Sequence, residues 1–331
     1  MDSISAPEYT CRASGSPAHA TGGSERTLGK GFMADFSKTI GLLGIGLVGR
    51  AIAPLLRDAG YDVVGYAPSQ ASREALRDLG GRPMDSVADV AAACRTVVLA
   101  VFDTAQVEQV LEGADGVLTI APSGGLRRTI INTSTCEPDR MAALDERIRD
   151  RAAFVEMPIS GTSTQIARAE GVGLIGGRSA DIDDVEDVLS TICPSRFRMG
   201  PLGAGGKAKL AVNLVLGLNR AAVAEGIAFA EMLGLDPGAF LHVARNSAAY
   251  SQVMDVKGKK MVERDYEPLS RVSQTTKDFL IMREYSHGAG HRLPFAEVYI
   301  EMMEGCIRAG EGDWDNAALL EEIKRQKVTK I

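Results

Sequence analysis

The sequence has few of the residues that build disulfide frameworks and metal sites. Only five cysteines and four histidines occur among 331 residues, and neither set shows CxxC, HExxH or other metal-ligand spacing. An odd number of scattered cysteines is also a poor basis for disulfide pairing. We therefore expect no metal ion and a reducing, cytoplasmic location. The cysteines are Cys11, Cys94, Cys136, Cys193 and Cys306.

An excess of basic charge and long apolar runs are also lacking. The net charge is −6, with 37 basic and 43 acidic residues interspersed, which argues against a nucleic-acid or membrane surface as partner. The apolar region after Lys209 is interrupted by Asn213, Asn219, Arg220 and Glu225, so it falls short of the ~20 apolar residues that a membrane-spanning helix requires. Small anions bound in local pockets are the expected ligands.

Residues 1–37 differ in composition from the rest of the chain. They are rich in Ser, Gly, Ala and Thr, and they show no hydrophobic periodicity and no apolar segment of a signal peptide. We predict a disordered N-terminal tail over residues 1–37, with the fold starting after it.

The most informative feature present is a glycine-rich turn between a strand and a helix. Ile40–Leu43 and Tyr61–Tyr66 are predicted strands, and Val48–Ala59 has apolar residues at helical period. The GxGxxG spacing lies between the first strand and the helix, at Gly44, Gly46 and Gly49. Such glycines allow a tight turn, close approach of the backbone to a pyrophosphate, and close helix packing. Because all the elements occur in order, we predict a dinucleotide site at the helix N-terminus.

Up to residue 200, predicted strands alternate with predicted helices. This alternation is typical of a doubly wound, mostly parallel sheet. We predict an α/β fold that begins with a Rossmann-type dinucleotide-binding domain over residues 38–200. Its further strands are predicted at Thr96–Phe102, Arg128–Ile131, Ala153–Glu156, Gly171–Gly177 and Arg196–Met199, and its further helices at Ser72–Leu79, Val87–Ala93, Ala105–Glu112 and Asp139–Arg151.

From residue 201 the sequence has helical periodicity throughout, which predicts an all-α domain over residues 201–331. A helix of about 28 residues within Gly203–Leu233 would measure ~42 Å and could join the two domains. Gly234 fits the position after its end, and Asp236 and Pro237 fit the N-cap and first position of the next helix.

Lys209 and Asn213 are spaced four residues apart, so they share one face of the long predicted helix. This pair suits hydride transfer at a carbinol carbon, because the alcohol must lose a proton on oxidation and the alkoxide must gain one on reduction. Desolvation in a cleft would lower the lysine pKa from ~10.4 toward the working range. The ordinary alternatives are a solvated surface lysine and a surface asparagine.

Six motifs follow one another between about residue 38 and about residue 316. They are Gly44–Gly49 (GIGLVG), Ser134–Pro138 (STCEP), Pro158–Thr162 (PISGT), Gly203–Lys209 (GAGGKAK) with Asn213 after it, Lys277–Asp278, and Asp313–Asp315 (DWD). In this order they resemble the β-hydroxyacid dehydrogenase family, which includes 3-hydroxyisobutyrate dehydrogenases, tartronate semialdehyde reductases and glyoxylate/succinic semialdehyde reductases. The resemblance implies NAD(P)-dependent hydride transfer with a small β-hydroxyacid or its semialdehyde or keto form. Lys209 would be the acid and base, and Asn213 would orient it or the substrate.

A turn after a predicted strand supplies candidate substrate contacts. Ser160, Gly161 and Thr162 expose two hydroxyls and backbone N–H groups that could bind a carboxylate, although an ordinary Ser/Gly turn would look the same. The resemblance implies that this turn and Ser134 hold the acid group of the substrate. The family commonly has glycine at the position of Thr162, so the turn departs from the family pattern there.

The segment after the second strand bears on NAD against NADP. NAD enzymes often place an acidic residue there for the ribose 2′-hydroxyl, and NADP enzymes place Arg or small hydroxyls. Tyr66–Gln70 contains no acid, so we favour NADP over NAD, with Ser69 and Arg73 near the 2′-phosphate. The resemblance implies further cofactor contacts from Ile45, Leu47, Val48, Val101, Phe102, Gln106, Thr135 and Lys277. Phe102 stands where the family usually has proline, and its alternative is a core position.

Two other functions stay open on the same fold. An imine reductase usually replaces the lysine, and a non-catalytic dinucleotide-binding scaffold protein tends to lose it, so Lys209 with Asn213 disfavours both. The family generally assembles through its helical domains, and Ala221–Leu233 offers more apolar surface than one bridging helix needs. We expect a homodimer or homotetramer; the particular hydroxyacid and the direction of the reaction stay open.

Overall fold

The computed structural model describes residues 38–121 and 127–326. Within them a nine-stranded sheet with flanking helices spans residues 39–200, and helices follow from residue 204 onward. This confirms the predicted α/β fold, a Rossmann-type domain followed by a helical domain. The tail predicted over residues 1–37 lies outside the described residues.

Six parallel strands form the centre of the sheet in the order β3-β2-β1-β4-β5-β6, which is that of dinucleotide-binding sheets. Strand β8 continues the sheet antiparallel to β6, and it pairs with β7 and β9. The chain order reverses between β1 and β4, so a crevice opens beyond the carboxyl ends of these strands. The strands are β1 (Thr39–Leu43), β2 (Asp62–Tyr66), β3 (Arg82–Pro83), β4 (Thr96–Leu99), β5 (Arg128–Asn132), β6 (Ala152–Glu156), β7 (Ile159–Ser160), β8 (Val172–Gly176) and β9 (Ser195–Gly200).

Helices cover both faces of the sheet and make two apolar cores. The first core contains side chains of α1, α2 and α6 to α8, and the second contains side chains of α3 to α5. Both faces are buried because the crossovers between parallel strands place helices on either side. The helices are α1 (Leu47–Asp58), α2 (Gln70–Asp78), α3 (Val87–Ala93), α4 (Thr104–Glu112), α5 (Pro138–Ile148), α6 (Ser163–Ala167), α7 (Ser179–Asp183) and α8 (Glu186–Ile192).

Strand β4 ends at Leu99, three residues before its predicted end at Phe102. The apolar run of the sequence continues, but Phe102 has left the ladder and donates its backbone N–H to the Gln106 side chain at 2.9 Å. Asp103 then caps α4 by accepting the N–H of Gln106. The prediction was wrong here because the local cap, and not hydrophobicity, decides where the strand stops.

The three glycines of the turn are required for different reasons. Gly44 has a φ of +98°, and a Cβ there would collide with the carbonyl of Ala100. A Cβ on Gly49 would collide with the carbonyl of Gly44, so this glycine lets α1 pack against the turn. By contrast, nothing lies within 4 Å of the Cβ position of Gly46. That open space lies at the N-cap of α1.

The C-terminal part is built around the 29-residue helix α9 (Ala204–Met232), which confirms the long helix predicted from the sequence. Asp236 accepts the N–H of Ala239 and Pro237 starts the next helix, as predicted. Apolar side chains of α9 pack with those of later helices in two further cores. The later helices are α10 (Pro237–Arg245), α11 (Lys259–Glu263), α12 (Val272–Gly288), α13 (Pro294–Arg308) and α14 (Leu319–Arg325).

Helix α9 is long and apolar enough to cross a membrane by length and composition alone, with a mean hydropathy of 1.3 over its best window. The polar residues that interrupt the apolar region after Lys209 therefore do not exclude a membrane-spanning helix by length and composition. A single such helix is a weak indication, because core helices of globular proteins have the same composition. In this fold α9 packs against β8, β9, α12 and α14.

We expect Gly49→Ala to lower the free energy of unfolding by about 1–3 kcal/mol, because the added methyl group meets a rigid carbonyl. Gly46→Ala is the matched control, and it should change stability by less than about 0.5 kcal/mol, since its Cβ enters open space. Urea unfolding of both variants without added ligand, followed by circular dichroism, measures the difference. Equal midpoints would contradict this account of the turn.

Candidate active site

A cavity of about 790 Å³ lies between the carboxyl ends of the central strands and the helices of the C-terminal part. It opens at the switch point of the sheet, where such folds bind their ligands. Three predicted residues are not in its lining: Gly49, which packs α1, Arg73 and Lys277. The predicted residues that line it are Gly44, Ile45, Gly46, Leu47, Val48, Ser69, Val101, Phe102, Gln106, Ser134, Thr135, Ser160, Gly161, Thr162, Lys209 and Asn213.

One end of the cavity is an anion cradle formed by the glycine turn. Gly46 is the N-cap of α1 and has no side chain to satisfy the first N–H groups of the helix. The guanidinium of Arg50 donates to the carbonyl of Ile45 at 3.1 Å and so braces the turn. Free N–H groups and the helix dipole favour negative charge. The open space above Gly46 therefore fits a pyrophosphate.

The predicted 2′-phosphate contacts lie at the start of α2. Ser69 lines the cavity, and its hydroxyl caps α2 by accepting the N–H of Ser72 at 3.1 Å. Arg73 donates from Nη1 to the carbonyls of Ala67 and Pro68 at 2.7 and 3.0 Å, and its guanidinium lies 5.7 Å from the Tyr66 ring centre. These contacts hold the loop and leave Nε and Nη2 of Arg73 without hydrogen bonds among the described residues.

Lys277 joins the helical part to the strand ends. Its Nζ donates to the carbonyl of Thr135 at 2.6 Å and lies 5.5 Å from the ring centre of Phe102. Phe102 is 41% exposed and borders the cavity, so the alternative of a core position is wrong. Lys277 thus contacts two other predicted cofactor residues, Thr135 and Phe102, which line the cavity.

Lys209 lies in the second turn of α9 and is only 7% exposed. Burial lowers its pKa to about 8; the carboxylate of Asp278 opposes this shift, and the charges of Lys277 and Arg220 add to it. Within the described chain, Lys209 Nζ has neither a hydrogen bond nor an ion pair. A buried amine without a partner on a cavity wall is available to a ligand.

Asn213 is held by Asp278, a residue that sequence reasoning did not assign to the site. Asn213 Nδ2 donates to Asp278 Oδ2 at 2.8 Å, and Lys277 Nζ lies 3.0 Å from Asp278 Oδ1. The amide oxygen of Asn213 is thereby left for the cavity. The motif Lys277–Asp278 was the available signal, but only its lysine was given a role.

Glu156 fixes the start of α9 and was also missed. It ends β6, is 2% exposed, and accepts the N–H of Gly205 at 2.9 Å. Burial raises the pKa of this carboxyl, while N–H groups of the glycine lead-in oppose the shift. A Cβ on Gly205 would collide with the carbonyl of Leu174 in β8. The glycines before Lys209 therefore let the helix begin directly against the sheet.

The predicted carboxylate site is partly available. Ser134 is 6% exposed, and its Oγ has no hydrogen-bond partner in the described structure. Ser160 follows on β7, and its hydroxyl is likewise without a hydrogen bond among the described residues. These two hydroxyls fit an oxygen-rich group of a ligand.

Thr162 differs from the expectation of a free hydroxyl. Its N–H and hydroxyl both donate to the Gln165 side chain, at 2.9 and 3.1 Å, and its Oγ1 accepts the N–H of Gln165. This capping box makes Thr162 the N-cap of α6, so the helix begins at Ser163, two residues after Gly161. The spacing Thr-x-x-Gln was readable in the sequence.

The described residues contain neither a metal-ligand cluster nor a disulfide. Among residues 38–121 and 127–326, no group of three or more His, Cys, Asp or Glu side chains could hold a metal ion. The four described cysteines, which exclude Cys11, are free and buried.

Two family models together match most of the chain. The model described as the NAD binding domain of 6-phosphogluconate dehydrogenase matches residues 39–200. The model described as NAD-binding of NADP-dependent 3-hydroxyisobutyrate dehydrogenase matches residues 203–323.

Similar proteins match over nearly their whole length. L-threonate dehydrogenase of Cupriavidus necator is 29% identical over 286 residues, which are 86% of this chain and 95% of that protein. 2-Hydroxy-3-oxopropionate reductase of Escherichia coli is 25% identical and covers 88% of this chain and 99% of its own length.

Solved structures agree in fold. A 3-hydroxyisobutyrate dehydrogenase from Salmonella typhimurium has a TM-score of 0.78 at 24% identity, covering 86% of this chain and 99% of that one. An imine reductase from Pseudomonas sp. has a TM-score of 0.58 at 20% identity, covering 86% and 99%. Taken with the glycine turn and the lysine segment, these matches show that the chain belongs to the β-hydroxyacid dehydrogenase family of NAD(P)-dependent oxidoreductases.

Proposed function

We propose that this protein transfers a hydride between NADP and a small β-hydroxyacid or its semialdehyde or keto form, with Lys209 as the acid and base. The observation that carries the proposal is Lys209 itself. Its buried amine has no hydrogen-bond or ion-pair partner among the described residues, and it lies in the wall of a cavity whose other end is an anion cradle. The nicotinamide cofactor, when bound, supplies or accepts the hydride. A buried lysine with a pKa of about 8 is suited to exchange the accompanying proton.

Other residues of the cavity are proposed to bind the carboxylate and the reacting hydroxyl of the substrate. Ser134 and Ser160 offer hydroxyls to the substrate carboxylate, with the backbone of Gly161 beside them. Asn213, held by Asp278, presents its amide oxygen beside Lys209 on the same helix face. The reacting hydroxyl is thus bound between an amine that changes protonation and an amide that does not.

NADP is the proposed cofactor. Ser69 and Ser72 line the cavity at the start of α2, and Arg73 keeps two guanidinium nitrogens without hydrogen bonds in the described structure. No carboxylate follows β2 to accept a ribose 2′-hydroxyl. This set of donors suits a 2′-phosphate better than a hydroxyl.

No described residue favours either of the two alternative functions, an imine reductase or a non-catalytic scaffold protein. The imine reductase structures share the fold at 20% identity or less, which carries no argument about the reaction. A scaffold protein without activity would need neither a buried, unpartnered Lys209 nor the Asn213–Asp278 contact.

We further propose that the protein works in the cytoplasm as a homodimer or homotetramer, on a small carboxylate substrate and without nucleic acid or membrane as partner. The four free cysteines of the described chain suit a reducing compartment.

We expect Lys209→Met to lower kcat/KM for the best hydroxyacid by about 100-fold or more, because proton transfer loses its positioned group. Binding of the cofactor should be unchanged, since the cradle for its pyrophosphate belongs to α1 and not to α9. Lys207→Met is the matched control: it removes an exposed lysine two residues away, paired with Asp139 at 3.3 Å, and should leave the rate within about twofold. A loss of less than tenfold with cofactor still bound would contradict the mechanism.

The pH profile tests the same residue independently. Burial lowers the pKa of Lys209 to about 8, so the amine is neutral above this pH and charged below it. Oxidation needs the neutral amine, and its kcat/KM should rise with pH and level off above about 8. Reduction needs the ammonium form and should decline above the same pH. Profiles that are flat in both directions between pH 6 and ~10 would disagree with this assignment.

Arg73→Met should raise KM for NADP by about tenfold or more and leave KM for NAD nearly unchanged, because only NADP carries the 2′-phosphate. Arg77→Met, an exposed arginine one turn later on α2, is the control and should affect neither cofactor. Initial rates with both cofactors measure the effect. An equal change for NAD and NADP would show that Arg73 merely holds the loop.

Association is expected at the end of α9. Phe229, Met232, Leu233 and Leu235 are 53–76% exposed and form an apolar patch around the turn after this helix. Analytical ultracentrifugation at micromolar concentration should give the mass of a dimer or tetramer, and Met232→Glu should shift the distribution toward monomer. A wild-type protein that is only monomeric would contradict the proposed homodimer or homotetramer.

A further inference from the structure

The face of α9 that carries Lys209 continues along the cavity. Lys209, Asn213, Leu216 and Arg220 follow at spacings of four, three and four residues, and all four line the cavity. Arg220 lies ~16 Å along the helix from Lys209 at the α-helical rise. Helical side chains tilt toward the helix N-terminus, so the guanidinium extends back toward Lys209. Its charge is close enough to lower the pKa of that lysine.

Arg220 is a buried cation without a counter-charge. It is 9% exposed, and Nη1 donates to the hydroxyl of Tyr299 at 2.6 Å. Its Nε is buried without a partner, and across the described ranges no carboxylate lies within ion-pair distance of the guanidinium. A buried charge that is neither paired nor fully hydrogen-bonded is strongly unfavourable. An anion at this place would supply the missing partner.

The buried carboxylates of this region are already engaged. Asp315 is fully buried, and both of its oxygens accept from Lys257 Nζ at 2.7 Å. It also accepts hydrogen bonds from three backbone N–H groups. With the two from Lys257, these bonds use all of the roughly four acceptor positions of a carboxylate. Those N–H groups belong to Leu269, Ser270 and Ala317. Asp315 is therefore committed to Lys257 and the loops. Asp278 accepts from Asn213 through Oδ2 and is ion-paired with Lys277 through Oδ1, which makes no hydrogen bond among the described residues.

Asn316 adds a second unsatisfied polar group at this end. It lines the cavity, donates from Nδ2 to the hydroxyl of Thr275 at 2.9 Å, and keeps a buried Oδ1 without a partner. Gln274 of α12 lines the same wall. The end of the cavity beyond Lys209 is thus polar and incompletely hydrogen-bonded on two separate elements. The carbonyl oxygen of Asn316 requires a donor and not an anion, so Arg220 alone is the candidate anion ligand here.

We propose that this end of the cavity is a second anion subsite, in which Arg220 binds an acidic group at the far end of the substrate. The substrate would then be a hydroxyacid with two acidic groups, the first held near Ser134 and the second at Arg220. A guanidinium binds carboxylate and phosphate oxygens in the same forked geometry, so either group fits. This inference rests on the proposed hydroxyacid function and narrows its substrate class.

Binding of three matched ligands tests the subsite. The probes are 3-hydroxybutanoate with one acidic group, 3-hydroxyglutarate with two carboxylates, and 3-hydroxy-4-phosphobutanoate with a carboxylate and a phosphate. Titration calorimetry is done with NADPH present, because a hydroxyacid cannot be oxidised by the reduced cofactor. The wild-type protein should bind at least one of the two diacids about tenfold or more tighter than the monoacid. The better of the two identifies the second group.

Arg220→Met should abolish that preference and leave binding of 3-hydroxybutanoate within about threefold, while Arg220→Lys should restore part of it. Lys207→Met removes a charge from the same helix outside the cavity and should have no effect. No preference in the wild-type protein would overturn the subsite, and this result does not depend on whether Arg220→Met folds. An equal loss for monoacid and diacid would do so too, because it would show a structural role only.

Turnover separates this inference from the proposed function. If the diacid preference depends on Arg220 but no hydroxyacid is oxidised, the hydroxyacid reaction is wrong and the anion subsite stands. If monoacids are oxidised in a Lys209-dependent way without any diacid preference, the reaction stands and the subsite is wrong.

Discussion

The seating of α9 on the edge of the sheet is the contact on which the site depends. Glu156 accepts the N–H of Gly205, and the absence of a side chain on Gly205 lets the first turn touch the carbonyl of Leu174. A helix is stiff over this length, so its first turn fixes where every later side chain lies. Lys209 and Arg220 reach the cavity because this one junction between strand and helix is tight.

The buried ionisable groups of the cavity wall fall into two classes, those that are paired and hold the fold together and those that are left for a ligand. Lys257 with Asp315 ties the helical segments together, and Asp278 holds Asn213 and Lys277. These groups are paired with one another and fix the positions of the segments that form the cavity wall. Lys209 and Arg220 are the cations of this wall that the described chain leaves without a carboxylate, and both point to a ligand of negative charge.

The sequence was sufficient for features that depend on local pattern. The turn at Gly44–Gly49, the length of α9 and the shared face of Lys209 and Asn213 follow from spacing and periodicity alone. The partner of Asn213 did not follow, because Asp278 lies 65 residues away on another helix. Burial of Arg220 was equally unreadable, since an arginine in an apolar helix suggests solvent until its neighbours are known. The capping box at Thr162 was a local signal that was overlooked.

Three hydrogen bonds connect segments that follow β5 and β7 to the helical part. Lys277 donates to the carbonyl of Thr135, the N–H of Asp139 donates to the hydroxyl of Tyr285, and the hydroxyl of Ser163 donates to the carbonyl of Leu269 at 3.4 Å. They join the two parts of the fold at three separate points. The cleft is therefore preorganised, and less of the binding free energy of a ligand is consumed in ordering its walls.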